Sequence, residues 1–258
     1  MVKTIFFDFD GTVFSHTQNK IPATTYYAFE LLKEKGIKRV LCTGRHLKEL
    51  KEMGFFEWGL DFDAFILLGG QMTFDKDLNC IDTSPINIET AKKIGRVFEE
   101  KKITLVLETK EDIYCNIYND FYLNGLNKVH TKPFPIKEYN GEEIFQVSTY
   151  VKEEIGEALC SEFDGCFVSF WSDHGILFVD KNGGKSKGVE KYLKSVGETS
   201  EETMAFGDGG NDLDMLEYCG VGVGMGNGAK AVIENCDYVT ETIDNDGIYL
   251  ALKNLGVI

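Results

Sequence analysis

The sequence predicts an α/β protein with a Rossmann-like parallel-sheet core and an inserted α+β cap domain. Three observations carry that expectation. The apolar run Thr4-Ile5-Phe6-Phe7 leads into Asp8-Phe9-Asp10-Gly11-Thr12, as a central strand buried on both faces does before it opens into a loop. A β-α-β-α-β rhythm then fills 1–76, and the same rhythm returns over 183–258, the pattern of a parallel sheet with crossover helices. Between them, 77–182 breaks into short alternating strands and two helical patterns, which suit antiparallel pairing in a separate cap.

Each element has its own signal. A helix is predicted over 23–35, where Tyr27, Leu31 and Leu32 recur at helical spacing between Pro22 and Gly36. A strand over 38–42 breaks into Thr43-Gly44-Arg45, a helix covers 46–53, and a strand over 64–68 runs into Gly69-Gly70. In the middle segment strands fall at 104–108, 113–118, 144–150, 166–171 and 176–179, and helices at 88–101 and 151–163. The gaps 109–112 and 172–175 are short enough for hairpins, while Pro133 and Pro135 mark an irregular link. After Asn182-Gly183-Gly184 come a helix over 187–195 and a strand over 203–206. Gly207-Asp208-Gly209-Gly210-Asn211-Asp212 then opens a helix that runs through 217. A strand over 220–225, a helix over 229–235, a strand over 238–240 and a helix over 247–255 finish the chain. The glycine pairs at both borders of the insert fit either a hinge or plain loops.

Composition narrows the partners. With a formal net charge of −15 over 258 residues, the chain lacks the basic surface that nucleic acid or an anionic membrane requires. An anionic substrate gains no long-range attraction, so a phosphate has to be held by a few local cations. The seven cysteines are scattered without a C-x-x-C pair, which suits reduced thiols in the cytoplasm. No basic segment followed by an apolar one begins the chain, and no stretch reaches the ~18 apolar residues of a membrane span.

The chemistry starts at Asp8 and Asp10. Residues i and i+2 of an extended chain point the same way, so the two carboxyls share a small volume, at the strand end where open parallel sheets bind ligands. Two like charges so close require a divalent cation or a held proton; a plain Asp-Gly turn with capping aspartates is the alternative. Further polar groups fall at other strand ends or helix starts: Thr43-Gly44-Arg45, Lys187, and Asp208 with Asn211 and Asp212. Singly these read as a turn, a surface lysine and a helix cap. Together they suit a hard cation with oxygen ligands, most simply Mg²⁺.

In order along the chain, Asp8-Phe9-Asp10-Gly11-Thr12, Thr43-Gly44-Arg45, Ser186-Lys187-Gly188 and Gly207-Asp208-Gly209-Gly210-Asn211-Asp212 resemble the four motifs of the haloacid dehalogenase superfamily of phosphohydrolases. The large insert, Gly224-Met225-Gly226-Asn227 and Asp246-Gly247 resemble its Cof-type subgroup. The resemblance implies a Mg²⁺-dependent phosphatase that frees phosphate from a small phosphorylated metabolite, sugar phosphate-like, through an aspartyl-phosphate. Asp8 would be the nucleophile. Asp10 would be an acid and base, kept protonated by its anionic neighbour. Asp8, the Asp10 backbone carbonyl and Asp208 would hold the metal, with Asp212 and Thr12 behind them. Thr43, the Gly44 amide and Lys187 would bind phosphoryl oxygens, with Asn211 nearby. Lys187 is preferred to Lys185 because the family's lysine directly precedes a glycine. Gly69-Gly70 departs from the Asn-Gly often found in the subgroup, and Arg45 either touches substrate or packs. The insert, covering the crevice, would select the substrate.

Three other readings stand beside this one. A regulator of receiver type would keep an aspartyl-phosphate as a signal, and a sugar-phosphate mutase would use the same chemistry. Gly224-x-Gly226-x-x-Ala229 also matches a dinucleotide fingerprint, although a strand-to-helix turn needing small residues explains it.

Overall fold

Strand β1 (Thr4–Phe7) has no exposed residue, and a sheet grows from both of its edges. The computed structural model describes residues 1–128, 132–170 and 175–258. From β1 the chain passes through α1 (Ala23–Glu34), β2 (Lys38–Cys42), α2 (Leu47–Glu52), β3 (Ala64–Leu67), β4 (Met72–Asp75) and β5 (Cys80–Thr83). The insert then supplies α3 (Ile88–Glu100), β6 (Val106–Thr109), β7 (Ile113–Cys115), α4 (Asp120–Lys128), β8 (Ile144–Tyr150), α5 (Glu153–Glu162), β9 (Cys166–Phe170) and β10 (Gly175–Asp180). The return segment holds α6 (Lys185–Val196), β11 (Thr203–Gly207), α7 (Leu213–Tyr218), β12 (Val221–Gly224), α8 (Lys230–Asn235), β13 (Tyr238–Val239) and α9 (Gly247–Asn254).

The first sheet has the order β13-β12-β11-β1-β2-β3-β4-β5, parallel through β3 and antiparallel for the last two strands. Successive β1 side chains alternate between its faces. Ile5 and Phe7 join Phe29, Leu32 and Phe206, whereas Phe6 meets Val40, Val189, Leu193 and Ala205. Phe7 pairs with both Leu41 and Phe206. That register brings the ends of β1, β2 and β11 level, so Asp8, Thr43 and Asp208 leave the sheet side by side.

The second sheet, β7-β6-β8-β10-β9, is antiparallel. Leu107 and Val147 turn to one face, where they pack with Ile94 and Phe98 of α3 and Leu159 of α5. Their neighbours Val106, Glu108, Gln146 and Ser148 line the cavity on the other face, above the first sheet.

Several expectations shift. The cap was expected to begin at 77, but β5 hydrogen-bonds to β4, so the hairpin closed over 76–79 stays with the first sheet. Helix α4 was not expected; Asn119 starts it by accepting from the Tyr122 amide at 2.8 Å. The strand expected over 113–118 ends at Cys115, because the Asn116 side chain turns inward to bond Leu105, Phe98 and Ile103 backbone groups. The hairpin expected at 172–175 and the end of the strand at 171 lie outside the described residues, apart from Gly175. The glycines of the dinucleotide-like stretch serve packing, since a Cβ on Gly226 would come within 2.7 Å of the Thr240 carbonyl.

The turn between β3 and β4 touches the segment by which the chain returns from the insert. Gly70 has φ +97° and Gly184 φ +104°, and a Cβ on Gly70 would lie 2.1 Å from the Gly184 carbonyl oxygen. Only residues without a side chain allow both that conformation and that approach. All seven cysteines are free thiols. Among the described residues no helix is long and apolar enough to cross a membrane.

Candidate active site

The aligned strand ends place four polar groups around one point. Lys185, the first residue of α6, is buried, and its Nζ donates to Asp8 Oδ1 and Asp212 Oδ1, each at 2.5 Å. Asp212 Oδ2 accepts from the Asp208 and Gly209 amides at 3.0 and 2.8 Å, which fixes the turn after β11. Thr12 Oγ1 donates to Asp208 Oδ1 at 3.0 Å. Ligand-capable oxygens of Asp8, Asp208 and Asp212 all lie within 4.8 Å of one another. Gly11, at φ +82°, passes under this cluster, where a Cβ would fall 2.2 Å from Asp208 Oδ2. Asn227 holds the same turn from the far side, its Nδ2 donating to the Gly11 carbonyl at 2.8 Å.

Three carboxyls, those of Asp8 and Asp212 buried and that of Asp208 partly so, meet one ammonium, and the imbalance shows in their titration. Burial, then the Asp212 charge, pushes the Asp8 carboxyl well above the usual carboxylate range, against the pull of Lys185. The same two causes lift Asp208 to about 7. Burial works against the Lys185 ammonium, but Asp212 and Asp8 more than offset it and keep it charged. The donor set is therefore hard, oxygen-only and over-supplied with negative charge. It fits a divalent cation of the Mg²⁺ kind.

Two placements differ from the sequence expectation. Lys187 is not at the site: its amine pairs with Glu190 at 2.9 Å on the outer face of α6. Two residues along a helix is a rotation of about 200°, so Lys185 and Lys187 cannot both face Asp8. A signal for Lys185 existed, since a lysine in the first turn opposes the helix dipole and needs anions to hold it there. The glycine that follows Lys187 outweighed that signal.

Asp10 also differs. It was expected to be kept protonated by Asp8, but Arg45 grips it in a fork, Nε to Oδ2 at 2.7 Å and Nη2 to Oδ1 at 2.8 Å. His16 Nε2 lies 2.8 Å from Oδ1. Burial alone would raise this carboxyl, yet hydrogen bonds from His16 and Arg45 prevail and hold it at about 2.

Thr43 is buried, and its Oγ1 accepts from the Arg45 amide at 3.2 Å in a tight turn. Asp8, Asp10, Thr43, Gly44, Arg45, Lys185, Asp208, Asn211 and Asp212 line one cavity of about 390 Å³. Its other walls come from the second sheet and α4. Sequence reasoning missed Glu108 and Gln146 on the second sheet, Glu49 on α2 and His16 in the loop after β1, all of which line the cavity. No motif flags them, because each stands alone in an ordinary turn, helix or strand.

Comparison with known proteins agrees with this geometry. Residues 5–252 match the model of the haloacid dehalogenase-like hydrolase family. The Bacillus subtilis protein YkrA, which carries a provisional phosphatase name, is 30% identical over 99% of this chain and 98% of its own. YitU of the same organism, a 5-amino-6-(5-phospho-D-ribitylamino)uracil phosphatase, is 26% identical over 95% and 94%. Among solved structures, the subclass IIB sugar phosphatase BT4131 superposes with a TM-score of 0.87 at 30% identity, covering both chains completely.

Proposed function

Because this chain belongs to the haloacid dehalogenase-like hydrolases and is a phosphatase of that family, we propose that it removes phosphate from a small metabolite through an aspartyl-phosphate on Asp8. The observation that carries this reading is the junction of Asp8, Lys185, Asp208 and Asp212 at the floor of a metabolite-sized cavity. Sugar phosphates are the class of choice, in keeping with the sugar phosphatase BT4131 and the phosphoribityl substrate in the name of YitU. A cavity of this size, roofed by the second sheet, suits a small metabolite better than a folded phosphoprotein, and turnover rather than a lasting phosphoryl mark. We place the protein in the cytoplasm, where seven free thiols stay reduced.

Asp8, Asp208 and the Asp10 backbone carbonyl would hold Mg²⁺, with Asp212 beside them. When bound, the cation neutralises the carboxylates and the charge of the transferring phosphoryl group. Asp8 attacks phosphorus as the bond to the leaving oxygen breaks, and Asp10 gives that oxygen its proton. A water then attacks the same phosphorus and returns a proton to Asp10, which frees the Asp8 carboxylate and inorganic phosphate. Lys185, the Thr43 hydroxyl and the Gly44 amide bind the phosphoryl oxygens at the transition state. Asp10 can donate only after its Arg45 and His16 contacts are exchanged for substrate, which gives Arg45 a place in binding.

Phosphate release from a panel of sugar and polyol monophosphates with Mg²⁺ tests the reading. At least one should turn over at kcat/KM above about 10³ M⁻¹s⁻¹, near the lower end for enzymes, and Asp8→Asn should abolish it. Silence across the panel, or Asp8→Asn activity within tenfold of the unsubstituted enzyme, would overturn it.

A further inference from the structure

The wall of the cavity opposite Asp8 holds a polar group with no partner. Gln146 on β8 is 2% exposed, and its Nε2 donates to the Gly44 carbonyl at 3.0 Å and to Glu108 Oε1 at 2.8 Å. The Gly44 carbonyl can only accept, so the amide cannot be turned round. Its Oε1 is then left on the Gly69 side, 3.5 Å from where a Cβ of Gly69 would stand, with no hydrogen-bond donor among the described residues. A buried acceptor left this way costs free energy unless something that enters the cavity donates to it.

The surroundings say what that visitor carries. Glu108 on β6 is buried beside Gln146 and accepts from Ser148. Glu49 of α2 faces Glu108 across the cavity and holds the His46 amide at 2.9 Å. The described cations that line the cavity are already engaged, Lys185 by Asp8 and Asp212, and Arg45 and His16 by Asp10. None of the described residues donates to Gln146 Oε1, so the donor has to come with the leaving group.

We propose that Gln146 reads the alcohol that leaves: its Oε1 accepts from one of that alcohol's hydroxyl or amine N–H groups. This rests on the phosphatase reading above and deepens it, since it sorts phosphate esters by what hangs from the ester oxygen. Monoesters of polyols and amino alcohols are favoured over esters whose leaving group carries no hydrogen-bond donor.

Gln146 also steadies the Gly44 peptide, so a purely positioning role must be told apart. That role would affect every ester equally, including p-nitrophenyl phosphate, whose leaving group carries no hydrogen-bond donor. With the best sugar monophosphate, Gln146→Leu should lower kcat/KM at least tenfold, as expected where a buried polar group loses its partner, and change p-nitrophenyl phosphate by less than threefold. Equal losses on both, or no loss on the sugar, would overturn the inference. A measurement without any variant stands beside it. The unsubstituted enzyme should hydrolyse a hexose 6-phosphate at least tenfold better than hexyl phosphate, an alkyl monoester without a hydroxyl, and comparable rates would overturn the inference alone. If no ester at all released phosphate, the phosphatase reading would fall first and take this one with it.

Discussion

Arg45 and Asp10 meet as two forks, with Nε on Oδ2 at 2.7 Å and Nη2 on Oδ1 at 2.8 Å. Paired donors in this geometry are the strongest a carboxylate finds in a protein. They keep Asp10 an acceptor, and His16 adds a third contact. A residue that must deliver a proton is thus stored in its unprotonated form until something displaces the guanidinium.

Removing the fork should show in titration. In the metal-free protein the Asp10 carboxyl carbon should titrate at about 2, and in Arg45→Ala it should move up by at least one pH unit. The stability linkage follows in sign. A depressed carboxyl stabilises the fold above its unfolded value near 4 and loses that contribution as pH falls towards 2. Arg45→Ala should flatten the acid limb of the Tm profile, and an unchanged limb with an unmoved Asp10 signal would count against the clamp.

The two lysines of α6 make a paired test. Lys185→Met should lower kcat by about 10²–10³, the usual effect of losing one charge-stabilising donor. Lys187→Met should stay within twofold, because its amine reaches only Glu190. Steady-state kinetics on any hydrolysed ester decides it, and a reversed ranking would restore Lys187.

Metal binding can be followed without turnover. Saturating Mg²⁺ at 100 times its Kd adds about 2.7 kcal/mol of stability, which should raise Tm by several degrees. EDTA should remove that rise and stop hydrolysis. Gly11→Ala places a methyl where Asp208 Oδ2 lies and strains a positive φ, at a cost of about 1–3 kcal/mol. Its Mg²⁺-dependent rise should vanish as well; a full rise in Gly11→Ala would show that residue 11 does not shape the metal site.

Glu108 gives a second pH signature. Burial first, and Glu49 second, raise its carboxyl to about 8. A raised acid binds its proton more tightly folded than unfolded, so stability is full below its unfolded value of 4.5 and declines as pH rises through 8. Glu108→Gln should flatten that decline and leave the protein the more stable form at pH 8, by on the order of a few kcal/mol. Thermal unfolding between pH 5 and 8.5 measures it, and parallel profiles would contradict the burial argument.

What the chain reveals by itself follows the range of each signal. Phe6 and Phe7 announce a buried central strand because local apolar runs and β-α-β spacing are written in neighbouring residues. The carboxyls of Asp8, Asp208 and Asp212 could be brought together because strand ends of a parallel sheet share one edge. Lys185 was passed over for Lys187 because Gly188 follows the latter, a motif match that carries no side-chain direction, and two residues along a helix turn a side chain to nearly the opposite face. The grip of His16 and Arg45 on Asp10 has no linear trace. Nor has the pairing of Gln146 with Glu108, whose positions read as routine polar alternation on cap strands. The β4–β5 hairpin joined the first sheet through hydrogen bonds that short strands do not advertise.

The close approach of Gly70 to the Gly184 carbonyl has a practical bearing on protein engineering. Because the β3–β4 turn and the returning segment interlock backbone to backbone, neither can be lengthened, stiffened or replaced without its opposite number. A transplant of the lid onto a related body should therefore take that turn and the return seam from a single donor, and mixed parentage there should give chimeras that fold poorly even when every other surface matches.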